Sequence, residues 1–232
     1  MMRPLLYISS FLLMWQTFAQ ADSVAVDSLE EESVRFIQPS FSFDYGKALV
    51  SAAGFEQKYE GAFSLLFFDN YYLTGEIGTG NLQPKNGIQN GKYQSEGNYY
   101  RIGGGYLKAI NSTSKLGLGV RYAMSTFNDL GEYYVESRSG SQDDYSEQFE
   151  RKNLEARWVE MVLTSESKVR LKKSDPEARI NQLFSLGFHL RLRVISSYDR
   201  FSPIDVYSVP GYGRTVNNPN LALNLFLKFT PF

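Results

Sequence analysis

Apolar and polar side chains alternate one by one in eight separate stretches of this chain, and a period of two gathers the apolar groups of each stretch on one face of a β-strand. Phe41, Phe43 and Tyr45 alternate with Ser40, Ser42 and Asp44. Tyr59, Phe63, Leu65 and Phe67 alternate with Glu60, Ala62 and Ser64, and after Asp69-Asn70 the chain resumes with Tyr71, Leu73 and Ile77 against Tyr72, Thr74 and Glu76, which reads as a hairpin. The same alternation runs through 99–106, 116–124, 158–163, 184–194 and 221–229. The expected fold is all-β, an eight-stranded antiparallel up-and-down barrel over residues 36–232. Its links run about 11, 2, 19, 5, 30, 11 to 18 and 24 residues, with every odd-numbered link of the longer kind.

Alternation leaves open which face points inward. A soluble ligand-holding barrel turns its apolar face inside, and a membrane barrel turns it toward lipid. Three features favour lipid. The apolar stripes span roughly 20 to 25 Å at ordinary rise and tilt, close to the apolar band of a membrane barrel. Tyr45, Tyr59, Tyr71, Tyr100, Tyr106, Tyr122, Phe184 and Phe229 recur near the stripe ends, as interfacial girdles require. The opposite face collects Asp44, Glu60, Glu76 and Glu160 beside Arg101, Arg121, His189, Arg191, Arg193 and Lys228, while the middle of the apolar face is free of charge. Inside a barrel this narrow, those groups are expected to form a paired plug rather than a conduit.

Composition excludes several chemistries. The chain has 24 Lys plus Arg against 25 Asp plus Glu, and this near-neutral balance lacks the basic footprint of nucleic-acid binding. It has no Cys and one His, which removes disulfide scaffolds, thiolate zinc sites, thiol catalysis and a multi-histidine metal site. A basic start at Met1-Met2-Arg3-Pro4, an apolar run over 5–15 and the small-x-small spacing of Ala19-Gln20-Ala21 read as a signal peptide over 1–21, followed by an acidic periplasmic extension over 22–35. The apolar run falls short of the roughly 20 residues a spanning helix needs. The expected location is the cell outer membrane, reached by export.

The whole pattern, from leader to a closing strand that ends in Phe229-Thr230-Pro231-Phe232, resembles the small eight-stranded outer-membrane barrels of Gram-negative bacteria. In detail, Arg157-Trp158-Val159-Glu160 and the 99–106 strand are similar to an uncharacterised barrel family of the Bacteroidota, which brings no settled activity with it. The resemblance implies outer-membrane lipid as surroundings, the barrel-assembly machinery as a partner during biogenesis, and Phe232 as the aromatic residue that machinery reads. Pro231 removes a ladder donor, so the last pairing is expected to stop near Phe229. Asp27-Ser28-Leu29 resembles a short acceptor for periplasmic O-glycosylation.

Candidate chemistry is sparse. His189 with Ser185 and Glu160 admits a nucleophile, base and orienting acid, but a packed lumen gives substrate no route and neighbouring arginines oppose an imidazolium, so a hydrogen-bonded lumen histidine is favoured. Gly103-Gly104-Gly105 and Gly117/Gly119 lie inside strands, where they leave room for Arg101, Arg121 and Trp158 rather than cradling phosphate. The segment 125–153, with Asp129, Glu132, Asp143 and Asp144, reads as a solvated acidic loop without the ligand spacing of a calcium loop. The last loop concentrates Tyr198, Phe201, Ile204, Tyr207 and Tyr212, and so either folds over the barrel mouth or contacts a partner. The expected function is a non-enzymatic, cofactor-free structural or accessory barrel that contacts envelope proteins through its outer loops. A narrow pore is the alternative, and an enzyme acting on lipid or peptide comes third.

Overall fold

The structure, a computed structural model, describes residues 37–53, 56–84, 87–88, 90–135, 145–172 and 178–231. Of the features above, the expected leader, the acidic extension with Ser28, Asp143, Asp144 and Phe232 lie outside the described residues. Every described residue belongs to the compact unit Arg35–Phe232. Eight antiparallel strands, β1 (Ile37–Asp44), β2 (Gln57–Phe67), β3 (Tyr71–Leu82), β4 (Gly91–Ala109), β5 (Ser114–Val135), β6 (Tyr145–Lys168), β7 (Phe184–Tyr198) and β8 (Asn220–Phe229), pair in sequence order and close into a barrel. The end at which β1, β3, β5 and β7 finish is called the mouth below, and the opposite end the base.

The faces fall as the alternation dictates. Phe63, Leu73, Ile77, Ile102, Leu118, Val120, Met161, Leu190, Leu221 and Leu223 stand on the exterior, with Ile102 68% exposed, while Glu60, Glu76, Arg101, Arg121, Glu160, Arg191 and Arg193 are buried within. Aromatic side chains pair at the edge of this band: Tyr71 meets Tyr106 edge-on at 5.3 Å, and Phe184 meets Phe229 at 5.4 Å.

Three expectations need correction. Tyr45 does not extend β1. Asp44 is an N-cap whose carboxylate accepts from the Lys47 amide at 3.0 Å, and it starts helix α1 (Tyr45–Ala52). The segment 125–153 is mostly strand, because β5 runs to Val135 and β6 starts at Tyr145. Outward side chains there turn mostly polar (Thr126, Asn128, Glu132, Glu150, Glu155), with Leu130 and Tyr134 as isolated apolar positions, so the continuous apolar band ends well before the strands do. Third, the link 169–183, which contains the short helix α2 (Ile180–Leu183), is longer than the odd-numbered link between β3 and β4, so link length does not alternate strictly. At the C-terminus β8 does finish at Phe229, before Pro231.

Closure is uneven. β8 pairs with β7 from Phe184↔Phe229 to Arg193↔Asn220, but with β1 only from Phe41↔Phe229 to Asp44↔Phe226. Above Asp44, α1 occupies the gap in place of a strand: Gly46 packs so near Leu225 that a Cβ on it would lie 3.3 Å from the Leu225 Cβ. On its other flank, Ser51 Oγ accepts from the Lys58 amide at 2.7 Å, taking the place of a ladder bond to β2.

Glycines on the inner face clear space for large neighbours. A Cβ on Gly119 would collide with Tyr72 Oη and sit 2.8 Å from the Gly104 carbonyl, and one on Gly103 would meet Arg121 Cγ at 2.8 Å. Arg121 is thus accommodated as expected, whereas the other beneficiaries are Tyr72 and Tyr99, the latter lying over Gly78. Gly75 faces outward with nothing within 4 Å. Gly119→Val is expected to abolish or sharply reduce recovery of the folded barrel in detergent, read by electrophoretic shift and circular dichroism, whereas Gly75→Val leaves recovery unchanged.

Candidate functional site

The lumen is filled in three tiers. The middle tier is ionic. Arg101, on β4, is flanked by β3 and β5, and its guanidinium spans the barrel: Nε donates to Glu160 Oε1 at 2.9 Å, and Nη1 donates to Glu60 Oε2 at 2.6 Å and Glu76 Oε2 at 3.1 Å. Arg191, from β7, donates through Nη1 to Glu76 Oε2 at 2.9 Å and Glu160 Oε2 at 3.0 Å, and through Nη2 to Glu60 Oε1 at 3.2 Å. Arg121 reaches Glu76 alone among these carboxylates, and Arg193 Nε lies 3.2 Å from Glu160 Oε1. Tyr99 Oη and Trp158 Nε1 complete the shell, donating to Glu60 at 2.8 Å and to Glu160 at 2.7 Å.

Burial makes these contacts mandatory. Trp158 and Glu160 are wholly inaccessible, and a carboxylate in such surroundings stays charged only when its lone pairs are taken by cations and donors. Asp44 lies at the same tier, where it accepts from Asn224 Nδ2 at 2.6 Å and pairs with Lys47 at 3.0 Å, so β1, α1 and β8 meet on one carboxylate. Lys47 also pairs with Glu60. It was not among the sequence candidates, although the Asp44-x-x-Lys47 spacing directly after a strand is the signal of a capped helix turning a cation back inward.

The mouth tier is apolar and latched. Residues 199–219 fold into the barrel, burying Val206, Val209 and Tyr212 against Tyr99, Ala123, Phe127, Leu154, Ala156 and Trp158. Of the two courses open to the last loop, Tyr212 follows the first: it is fully buried and meets Trp158 edge-on at 5.6 Å. Tyr207 is half-buried against Tyr93 at 6.0 Å, Ile204 and Tyr198 are half-buried, and Phe201 is exposed. The turn at the tip requires glycine, since Gly211 has φ +83° and its α-carbon lies against the Tyr99 ring. From below, Arg101 Nη2 donates to the Gly211 carbonyl at 2.7 Å and Arg193 Nη1 to the Tyr212 carbonyl at 2.5 Å, so the ionic tier holds the loop.

A second latch stands above it. Asp129 is buried rather than solvated, correcting the reading of 125–153: it accepts from Tyr93 Oη at 2.7 Å and Arg151 Nε at 2.8 Å. Arg151 Nη1 donates to the Ile204 carbonyl at 2.9 Å while its guanidinium stacks over Phe149 and Phe201. Burial, with the hydrogen bond to Asp129 next, pushes the Tyr93 phenol well above its ordinary value.

The base tier holds His189. Its Nδ1 lies 3.0 Å from Thr164 Oγ1 and its ring stacks on Phe226 at 4.3 Å. Glu160 is committed to arginines and Trp158, so His189, Ser185 and Glu160 are not joined in one hydrogen-bonded chain. Lys228 pairs with Glu166 at 2.8 Å. Among the described residues no cluster of three or more His, Asp or Glu side chains is arranged to hold a metal ion.

Fold and site together define a closed eight-stranded barrel with a charge-paired lumen and an inserted loop. The chain belongs to the family described as "Domain of unknown function (DUF6048)", whose model matches residues 5–227. No curated protein and no solved structure matches it.

Removing one member of the ionic tier strands its partners. Glu160→Ala is expected to lower stability by about 3–5 kcal/mol, measured by denaturant unfolding in micelles, while removal of the exposed Glu155 carboxylate leaves the midpoint in place. Asp129→Ala is expected to release residues 199–219, seen as protease cleavage there at least tenfold faster than in the parent barrel.

Proposed function

We propose that the chain is an integral outer-membrane β-barrel of the Gram-negative envelope, non-enzymatic, acting as a structural or accessory component that contacts other envelope proteins at its outer end. The observation that carries this reading is the exterior. A continuous apolar belt runs around all eight strands over a lumen of buried ion pairs, the reverse of a ligand-holding soluble barrel. An apolar surface of this extent needs hydrocarbon around it, and closure satisfies the backbone of a barrel in lipid. No helix among the described residues is long and apolar enough to cross a membrane, so strands do the spanning in this reading. The signal-peptide pattern and the resemblance to Bacteroidota barrels point the same way.

The contact surface in this proposal lies above the belt. Past Tyr100 and Met124 the strands β4, β5 and β6 continue as a wall with a mostly polar outer face, on which Leu130 and Tyr134 are exposed, rising roughly 25–30 Å at ordinary strand rise and tilt. Phe201 stands exposed beside it, whereas Tyr212 is committed to the mouth core. A wall of hydrogen-bonded strands presents a rigid surface, and rigidity lowers the entropic cost of association.

The test has three parts. The mature chain is expected in the outer-membrane fraction, resistant to carbonate, and a freely water-soluble folded chain would sink the assignment. Photo-crosslinkers at Gln94, Asn128 and Phe201 in living cells are expected to yield discrete protein adducts, and a folded barrel without adducts or co-purifying proteins overturns the contact role. The refolded barrel is expected to be electrically silent in planar bilayers, whereas discrete conductance steps that change on altering Arg101 or Arg121 would establish the narrow pore instead.

A further inference from the structure

The wall of β4 to β6 outreaches the strands on either side of it, and its two edges differ. β3 ends at Leu82, yet the β4 edge beyond it is covered: Gln83 Nε2 donates to Gln94 Oε1 at 3.2 Å, and a Cβ on Gly87 would lie 3.1 Å from the Tyr93 Cβ. On the other side β7 pairs with β6 only as far as Ala156↔Tyr198. Asp199 adds one step, since the Glu155 amide donates to Asp199 Oδ2 at 2.9 Å and the Glu155 carbonyl accepts from the Asp199 amide at 3.3 Å. From Tyr145 to Leu154, β6 pairs with β5, and no backbone hydrogen bond to the described residues reaches it from the other side.

Facing decides which groups are left over. Residues on one face of a strand all turn N–H and C=O to the same side. Glu155 faces outward and turns its pair toward β7. Ser146, Gln148 and Glu150 face outward too, opposite Tyr134, Glu132 and Leu130 of β5, so their N–H and C=O groups point to the open edge. All three are exposed. Tyr145, Glu147, Phe149 and Arg151 turn theirs to β5, which leaves the wall itself fully laddered. The open row ends below at the bulge opposite Asn128, where Asn153 takes φ +58°.

This row offers a donor and an acceptor together at every second residue, about 7 Å apart. Another polypeptide backbone matches that repeat, and sugars and lipid headgroups do not. Phe149 is half-buried on the inner face, so an incoming strand brings one of its alternate side chains beside that ring. A second copy in the same membrane does not fit: its β6 also runs from mouth to base, whereas two identical edges related by a two-fold axis meet in opposite directions.

We propose that the β6 edge from Ser146 to Glu150 is the docking site for an extended segment of another envelope protein, which adds as a further strand and packs an apolar side chain beside Phe149. The docking rests on the envelope role proposed above and is its specific mode.

Photo-crosslinkers at Ser146 and Glu150 in living cells, with mass spectrometry of the adducts, identify the captured segment, and a synthetic peptide of that segment is the probe for the barrel refolded in micelles. The amides of Ser146, Gln148 and Glu150 are expected to exchange freely in the barrel alone and to slow at least about tenfold with the peptide. Gln148→Pro removes an edge N–H and no bond to β5, so it is expected to keep the fold and weaken the peptide about tenfold, while Gln148→Ala stays within about twofold. Methylating the peptide's own backbone amides tests the same ladder without altering the barrel. Edge amides already protected in the barrel alone, a bound peptide that leaves them exchanging, equal affinities in the two variants, or barrel-to-barrel adducts at this edge overturn the proposal. Adducts at Gln94 or Asn128 with none at Ser146 or Glu150 remove the edge docking and leave the envelope role standing, whereas adducts at none of these positions remove both.

Discussion

The carboxylate of Glu160 cannot be buried charged without Arg101, Arg191 and Trp158 around it, and those groups cannot be buried without it. This mutual dependence organises the molecule. The cations that close the middle of the lumen come from β4, β5, β7 and α1, and the acids from β1, β2, β3 and β6, so the network ties every strand but β8 into one set of ion pairs, and Asn224 brings in β8 through Asp44. Such a network is costly to assemble and more costly to leave incomplete. It fixes strand register, because a slip by one residue would carry each charge to the apolar exterior.

The same network reaches upward. Arg101 and Arg193 spend their remaining donors on carbonyls of Gly211 and Tyr212, which sets the tip of the 199–219 segment at one depth. Above that point Val206, Val209 and Tyr212 add apolar burial, and Asp129 with Arg151 adds a second polar clamp. The mouth is therefore closed by a segment whose seat belongs to the lumen, while the surface left for encounters is the wall of β4 to β6 and the rim near Phe201.

Strand number, order and facing were legible from alternation because each buried charge sits two residues from the next inward group. Extent was not. β5 and β6 were cut short where their outward residues became polar, as at Thr126, Asn128 and Glu155, although the inward row continues through Ser125, Phe127, Asp129 and Gly131. The outward stripe reports what surrounds a barrel at each height, and the inward stripe reports how far the strand runs. Reading the first as the second turned Asp129 and Arg151 into loop residues. Lys47 was missed for a related reason: a helix one residue after a strand has no period of its own long enough to register beside the β pattern.

The seam between the first and last strands is the thinnest part of the ring. Its ladder runs from Phe41↔Phe229 to Asp44↔Phe226, and above it the wall is completed by α1 leaning on Leu225 rather than by backbone pairing. Free energies of local opening follow such differences in bonding. The cylinder is thus a ribbon fastened by one short clasp, with Asp44 as its pin, and any breathing of the whole begins by unfastening there while the other seven junctions hold.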